Sequence, residues 1–236
     1  MADGEFVRSV RGNPGLLAES PGALEVARMM QGLNALATLH RALYNALDNP
    51  YEDRFGRLTT QGDQIVLLAN IVGLLKESAD AFRQASSTLK AAARSRDQAL
   101  LDRLRQMDAQ LDQATESSFY NQVLKPARDD IAFHWRRSRV EQVLASRQGA
   151  KDAIFTMTFT TTNDSEPRFT LIDAVAAEIL FGTRDRNEIR DRIEAIQAFS
   201  MEFLSVGFEV ISLWLLAKGL GYETNGPDKG SEGGSE

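Results

Sequence analysis

The chain contains no cysteine, which removes disulfides, thiolate nucleophiles and cysteine-ligated zinc together. Histidine and tryptophan occur twice each among 236 residues, so imidazole chemistry has two places to occur. A basic excess is also missing: 27 Lys and Arg stand against 33 Asp and Glu, a net charge of -6. Coating nucleic acid through bulk charge needs a basic face, so phosphate recognition would have to come from a local patch. No unbroken run of about 18 apolar residues occurs, and no membrane span is expected. The nearest approach, Phe203 to Ala217, is short and carries Glu209. The first residues, Met1-Ala2-Asp3-Gly4-Glu5, lack the basic-then-apolar order of a signal peptide. With the absence of cysteine, this sets a cytoplasmic expectation. No internal repeat is evident.

What is present suits a globular helical protein. Hydrophobic residues make up 43% and charged residues 25%, enough apolar material for a sizeable core. Residues 1–20, rich in Gly, Pro, Ser and charge, show no period and are expected to be loose. Ser20-Pro21-Gly22 offers a helix start. Val26, Met29, Leu33, Leu36, His40, Leu43 and Leu47 then recur in alternating steps of three and four, one face of a long helix. Asp48-Asn49-Pro50 stops it. His40 lies on that stripe and reads as a half-buried histidine at a helix interface rather than as a ligand or base.

Tyr51 to Leu58 reads as a connector, and Thr59-Thr60-Gln61-Gly62-Asp63 supplies capping residues. Ile65, Leu68, Ile71, Val72, Leu75, Ala79 and Phe82 mark a second helix, which either ends or continues through 86–96. A third carries Leu104, Met107 and Leu111 on a narrow stripe; the charges opposite, Arg103 among them, read as a solvated face. Ser117-Ser118 can cap the segment Phe119 to Lys125. Pro126 then starts a fresh helix or kinks a continuing one, predicted to run to about Gln148. Phe155, Met157 and Phe159 alternate with threonines, a strand period. With turn residues at 163–167 this predicts a small hairpin near 154–171, or else an extended loop. A further helix ends at Gly182. Residues 193 to 217 form a last helix, hydrophobic nearly all round, as in a core or an oligomer interface. Glu202 and Glu209 share one of its faces. Paired carboxylates can bind metal in a bundle, but neither histidine follows a Glu at the spacing such sites use, and they read as a narrow polar seam.

The fold expected is mainly α: a bundle of about six or seven helices forming one domain over 21–218, followed by a disordered tail over 219–236. One stretch carries a candidate for chemistry, Lys125-Pro126-Ala127-Arg128-Asp129-Asp130-Ile131-Ala132-Phe133-His134-Trp135-Arg136-Arg137. A guanidinium is a fixed cation with a donor fork suited to phosphate, and an imidazole moves a proton near neutral pH. Positions six apart on a helix sit about 120° apart around its axis, so Arg128 must reach across a turn toward His134. Together they suit RNA cleavage, the histidine as base or acid and the arginine for phosphate charge. Lys125, Arg136, Arg137 and Arg139 add local positive charge for nucleic-acid contact. The competing reading makes Arg128 and Asp129 surface charges and Phe133 and Trp135 core anchors.

On Arg128, Asp129 and His134, within a helical context, the chain resembles the HEPN superfamily of helical bundles, which carry an Arg, a polar residue and a His after a short gap. The resemblance covers about ten residues. It implies a metal-independent ribonuclease site built across a homodimer, with Asp129 orienting Arg128 and His134, or a member that keeps the fold without activity, or one that pairs with a nucleotidyltransferase partner. About a hundred residues follow the motif here, whereas such domains often carry it near the end of a short bundle. No cofactor is expected. The alternative is a non-enzymatic helical protein that dimerises through the 193–217 helix.

Overall fold

The computed structural model describes residues 6–12, 20–48, 54–127, 137–146, 157–158, 168–219 and 221–227. The described residues are mainly α-helical. The first helix, α1 (Ala23–Asp48), starts after Gly22, whose φ of 80° turns the chain into it. Ala23 apart, its buried residues are those of the predicted stripe, Val26, Met29, Leu33, Leu36, His40 and Leu43; Leu47 ends outside, 43% exposed.

The second helix departs from the expected boundary. α2 (Arg54–Arg94) begins within the predicted connector and runs for 41 residues, through Thr59-Thr60 and on through Ser86-Ser87-Thr88. At Ser86-Ser87-Thr88 packing outweighs a local preference: Leu68, Ile71, Val72, Leu75, Ala79, Phe82, Ala85 and Leu89 keep one face of α2 buried past that point. α3 (Gln98–Gln110) follows, its first turn capped by Asp97, which accepts from the Leu100 N–H at 2.9 Å. A π-helical turn, Tyr120–Leu124, then runs into an α turn, Lys125–Ala127, and the two together are α4. α5 is Arg137–Ser146, α6 is Thr170–Phe181 and α7 is Arg186–Ala217.

α7 starts seven residues before the predicted 193, because Asp185 caps it by accepting from the N–H groups of Asn187 and Glu188. α1, α2 and α7 pack on one another as the central triad, and α3 lies against α2 and α7. Two glycines allow the close approaches. A Cβ on Gly32 of α1 would lie 2.2 Å from Ser78 Oγ of α2, and one on Gly207 of α7 would lie 2.8 Å from both Leu33 Cδ atoms. By length and mean hydropathy (1.5 over an 18-residue window) α7 could cross a membrane, which the expectation from unbroken apolar runs does not register; half of that window is buried within the bundle.

Two small antiparallel ribbons accompany the helices. β2 (Met157–Thr158) pairs with β3 (Arg168–Phe169), Met157 opposite Phe169, within the stretch read as a hairpin. β1 (Phe6–Gly12) pairs with β4 (Gly221–Pro227), Phe6 opposite Pro227 and Gly12 opposite Gly221. These strands fall in the stretches expected to be loose and disordered. Their pairing joins segments more than 200 residues apart, which no local period reports.

Candidate functional site

The sequence motif is entered from α4. Ser118 Oγ accepts from the Asn121 N–H at 3.3 Å, the cap expected there. The Lys125 N–H then reaches back five residues to the Tyr120 carbonyl. A proline following this point has no N–H for the carbonyl four residues back, and its ring crowds that carbonyl; the widened π turn accommodates Pro126 without breaking the helix. The turn is held from the core side. Phe119 stacks on Phe199 of α7 with ring centroids 4.3 Å apart. Arg83 of α2 places its guanidinium 5.1 Å from the Tyr120 ring centroid, and Leu124 is fully buried. Lys125, next in line, is exposed.

Of the residues singled out from the sequence, Arg128, Asp129, His134 and Arg136 lie outside the described residues. Arg137 and Arg139 fall on the first turn of α5. Both flanks of the motif abut one helix: Lys125–Ala127 packs on α6, and so does α5. The stretch from Lys125 to Arg139 holds five cations (Lys125, Arg128, Arg136, Arg137, Arg139) against two carboxylates (Asp129, Asp130) in a chain of net charge -6.

His40, the other histidine, is 4% exposed. Its Nε2 lies 2.6 Å from Ser200 Oγ of α7, and that hydroxyl donates to the Gln197 carbonyl at 3.1 Å. With its one hydrogen so used, the hydroxyl accepts from Nε2–H. Nδ1 is then a bare acceptor, buried without a partner. Burial pushes the imidazole pKa below its ordinary 6.5. A neutral, sealed ring locks a helix interface; no substrate reaches it. Nothing in the sequence marks Ser200 as its partner, because a serine in an apolar helix is a common, neutral choice.

The carboxylate pair on α7 is also occupied. Arg103 of α3 donates through Nε and Nη2 to Glu202 (2.9 and 3.2 Å), through Nη1 to Glu209 (2.8 Å) and through Nη2 to Ser205 (2.9 Å). The hydrogen bond to Glu202 leads in holding its guanidinium charged. The pair is thus a fork-shaped clamp between α3 and α7, and Arg103, read as part of a solvated face, is its centre. On the opposite flank of α3, Asp108 accepts from Ser86 Oγ with both oxygens at 3.1 Å and pairs with Lys90. Among the described residues no group of three or more His, Asp and Glu is placed to hold a metal ion.

No protein-family model, no curated protein and no solved structure matches the chain.

Proposed function

We propose that this protein binds and cleaves RNA without a metal ion, through Arg128 and His134 with Asp129 orienting them, as the HEPN-like motif implies. The observation that carries the reading is the π-helical turn that launches the motif. Such turns are rare and recur at functional sites. This one is held by an aromatic stack, a cation–π contact and a buried leucine immediately before the basic stretch. A second observation narrows the choice of base: with His40 sealed between α1 and α7, imidazole chemistry falls to His134. In this reading His134 removes or supplies the proton at the 2′-hydroxyl or the leaving oxygen, and Arg128 neutralises the phosphate as charge builds on it. Lys125, Arg136, Arg137 and Arg139 contact the backbone of the strand.

The test is cleavage of a labelled single-stranded RNA in excess chelator. The full-length protein cuts it, and His134→Ala lowers the rate by at least about 100-fold, the usual worth of a positioned acid or base. Cleavage unchanged in the variant means a contaminating nuclease and defeats the proposal.

A second reading, a helical interaction protein that self-associates through α7, is favoured by one specific observation. Met201 and Phe208, seven residues apart and so on one helix face, are 44% and 46% exposed. Ala198 beside them is exposed and uncharged.

A further inference from the structure

α7 is apolar on the side it turns outward as well as on the side it buries. Phe199, Phe203, Val206, Val210 and Trp214 are buried against the bundle. On the outer side Met201 and Phe208 are 44% and 46% exposed. Phe208, Leu213 and Leu216 line a cleft of about 350 Å³ together with Leu100 and Asp97 at the start of α3. A helix that only covers a core carries a charged outer side, whereas one that is apolar all round suits a core or a membrane.

Between Glu194 and Lys218 the chain has two ionisable side chains, Glu202 and Glu209. That stretch is longer than the roughly 20 residues that cross a hydrocarbon core. By length and hydropathy α7 is the one helix among the described residues that could do so. Trp214 and Lys218 stand at its C-terminal end, where a membrane interface favours aromatic and basic side chains.

Both ionisable groups are carboxylates, so acid removes their charge, as it would not for a lysine or an arginine. Ionised, they keep the helix out of hydrocarbon, and they fasten it to α3. Arg103 donates to both, and Asp97 shares the cleft with Glu209. With a proton on each, the clamp loses its ion pairs and α7 loses every charge between Glu194 and Lys218.

Acid acts on the other side of the helix as well. His40 of α1 stands against Ser200, with the Tyr44 ring beside it and Nδ1 without a partner among the described residues. A proton there puts an unpaired cation into the α1–α7 interface. Where α2 and α4 set rings on α7, Phe82 on Phe203 and Phe119 on Phe199, the contact is indifferent to pH. One change of conditions thus loosens the polar fastenings of α7 on two sides and fits it for a lipid interior.

We infer that α7 is a membrane-entering helix: in acid, with Glu202 and Glu209 neutral and the Arg103 clamp released, it leaves the bundle and inserts into a lipid bilayer. The inference does not rest on the RNA-directed reading. A second copy would also cover Met201 and Phe208. It would need neither both sides of α7 to be apolar nor its charges to be ones that acid removes.

The test uses the full-length protein with Trp135→Phe, which leaves Trp214 as the only tryptophan. It is mixed with phosphatidylcholine vesicles whose acyl chains carry bromine, a contact quencher of indole. Fluorescence is read near neutrality and at about pH 4.5, close to where free glutamate titrates. Quenching of Trp214 is expected in acid and not at neutrality. Glu202→Gln with Glu209→Gln should bring quenching at neutrality, with no acid step. Phe208→Lys should abolish it at both, because that charge persists in acid. Circular dichroism at neutrality shows whether each variant keeps its helices. If the double variant does not, Glu202→Gln and Glu209→Gln singly should each raise the pH of onset, and Met201→Lys replaces a Phe208→Lys protein that loses its fold. Trp214 unquenched in acid overturns the inference, and a dimer found by sedimentation under those conditions gives the outer face to a second copy. Quenching that the lysine variant leaves unchanged means adsorption of an unfolded chain, and overturns it too. An onset equal in the parent and the glutamine variants removes the carboxylate pair as the trigger, and with it the inference.

Discussion

His40 shows how much a single position can carry. The sequence places it on the buried stripe of α1, and the structure seals it there against Ser200. Protonation would add an N–H at Nδ1, where no described group accepts it. The unfolded chain takes up that proton near the ordinary pKa of 6.5, the folded chain only at lower pH. The unfolded state therefore binds more protons between the two values, and stability rises with pH across that window. Urea midpoints should be level above pH 6.5 and decline as pH falls through it, by no more than about 1.4 kcal/mol per pH unit for one proton. His40→Leu should remove that part of the decline. A His40→Leu profile as steep as that of the parent would assign the proton elsewhere. Ser200 and Arg103 were not legible in the same way. Each meets partners far away in the chain, 160 residues for Ser200 and 99 and 106 for Arg103, and a window of sequence carries no trace of such pairings.

At the scale of elements, periodicity told where helices lie and capping residues told less well where they end. α1 begins at the turn the sequence offers, whereas α2 runs straight through the predicted caps at 59–63 and takes the continuing alternative left open at 86–96, ending at Arg94. Continuous burial along one face outweighs a cap worth about 1 kcal/mol. Gly32 and Gly207 stand where helices come closest. Gly207→Ala sets a methyl against the flexible tips of Leu33, and the roughly 1 kcal/mol gained in helix propensity offsets that crowding. Gly207→Leu cannot be accommodated in this way and should cost about 1–3 kcal/mol. Thermal or urea unfolding of the two variants checks the contrast; equal losses would mean that α1 and α7 are not in close contact at this point.

For the whole molecule, the mainly helical bundle was legible because α1, α2 and α3 bear stripes of three-and-four spacing and α7 is apolar nearly all round. The motif is legible in the sequence alone, since Arg128, Asp129 and His134 lie outside the described residues. The outer face of α7 bears on what the molecule does as a unit. If Met201 and Phe208 seat a second copy, sedimentation should show a dimer that Phe208→Glu with Met201→Glu converts to monomer without loss of helicity; a parent that sediments as a monomer at every concentration removes that reading. The bundle is also fastened in two different ways. α1, α2 and α7 meet mainly through hydrocarbon, with the neutral His40–Ser200 pair buried among it, whereas α3 adds ion pairs on both flanks, Arg103 with Glu202 and Glu209 on one and Asp108 with Lys90 on the other. Mobile ions weaken exposed charge pairs and leave apolar packing intact or firmer. Concentrated sodium chloride should accordingly hasten deuterium uptake in 98–110 while the central three helices keep their protection, so that the thirteen-residue helix behaves as a flap whose latch is read by the ionic strength around it.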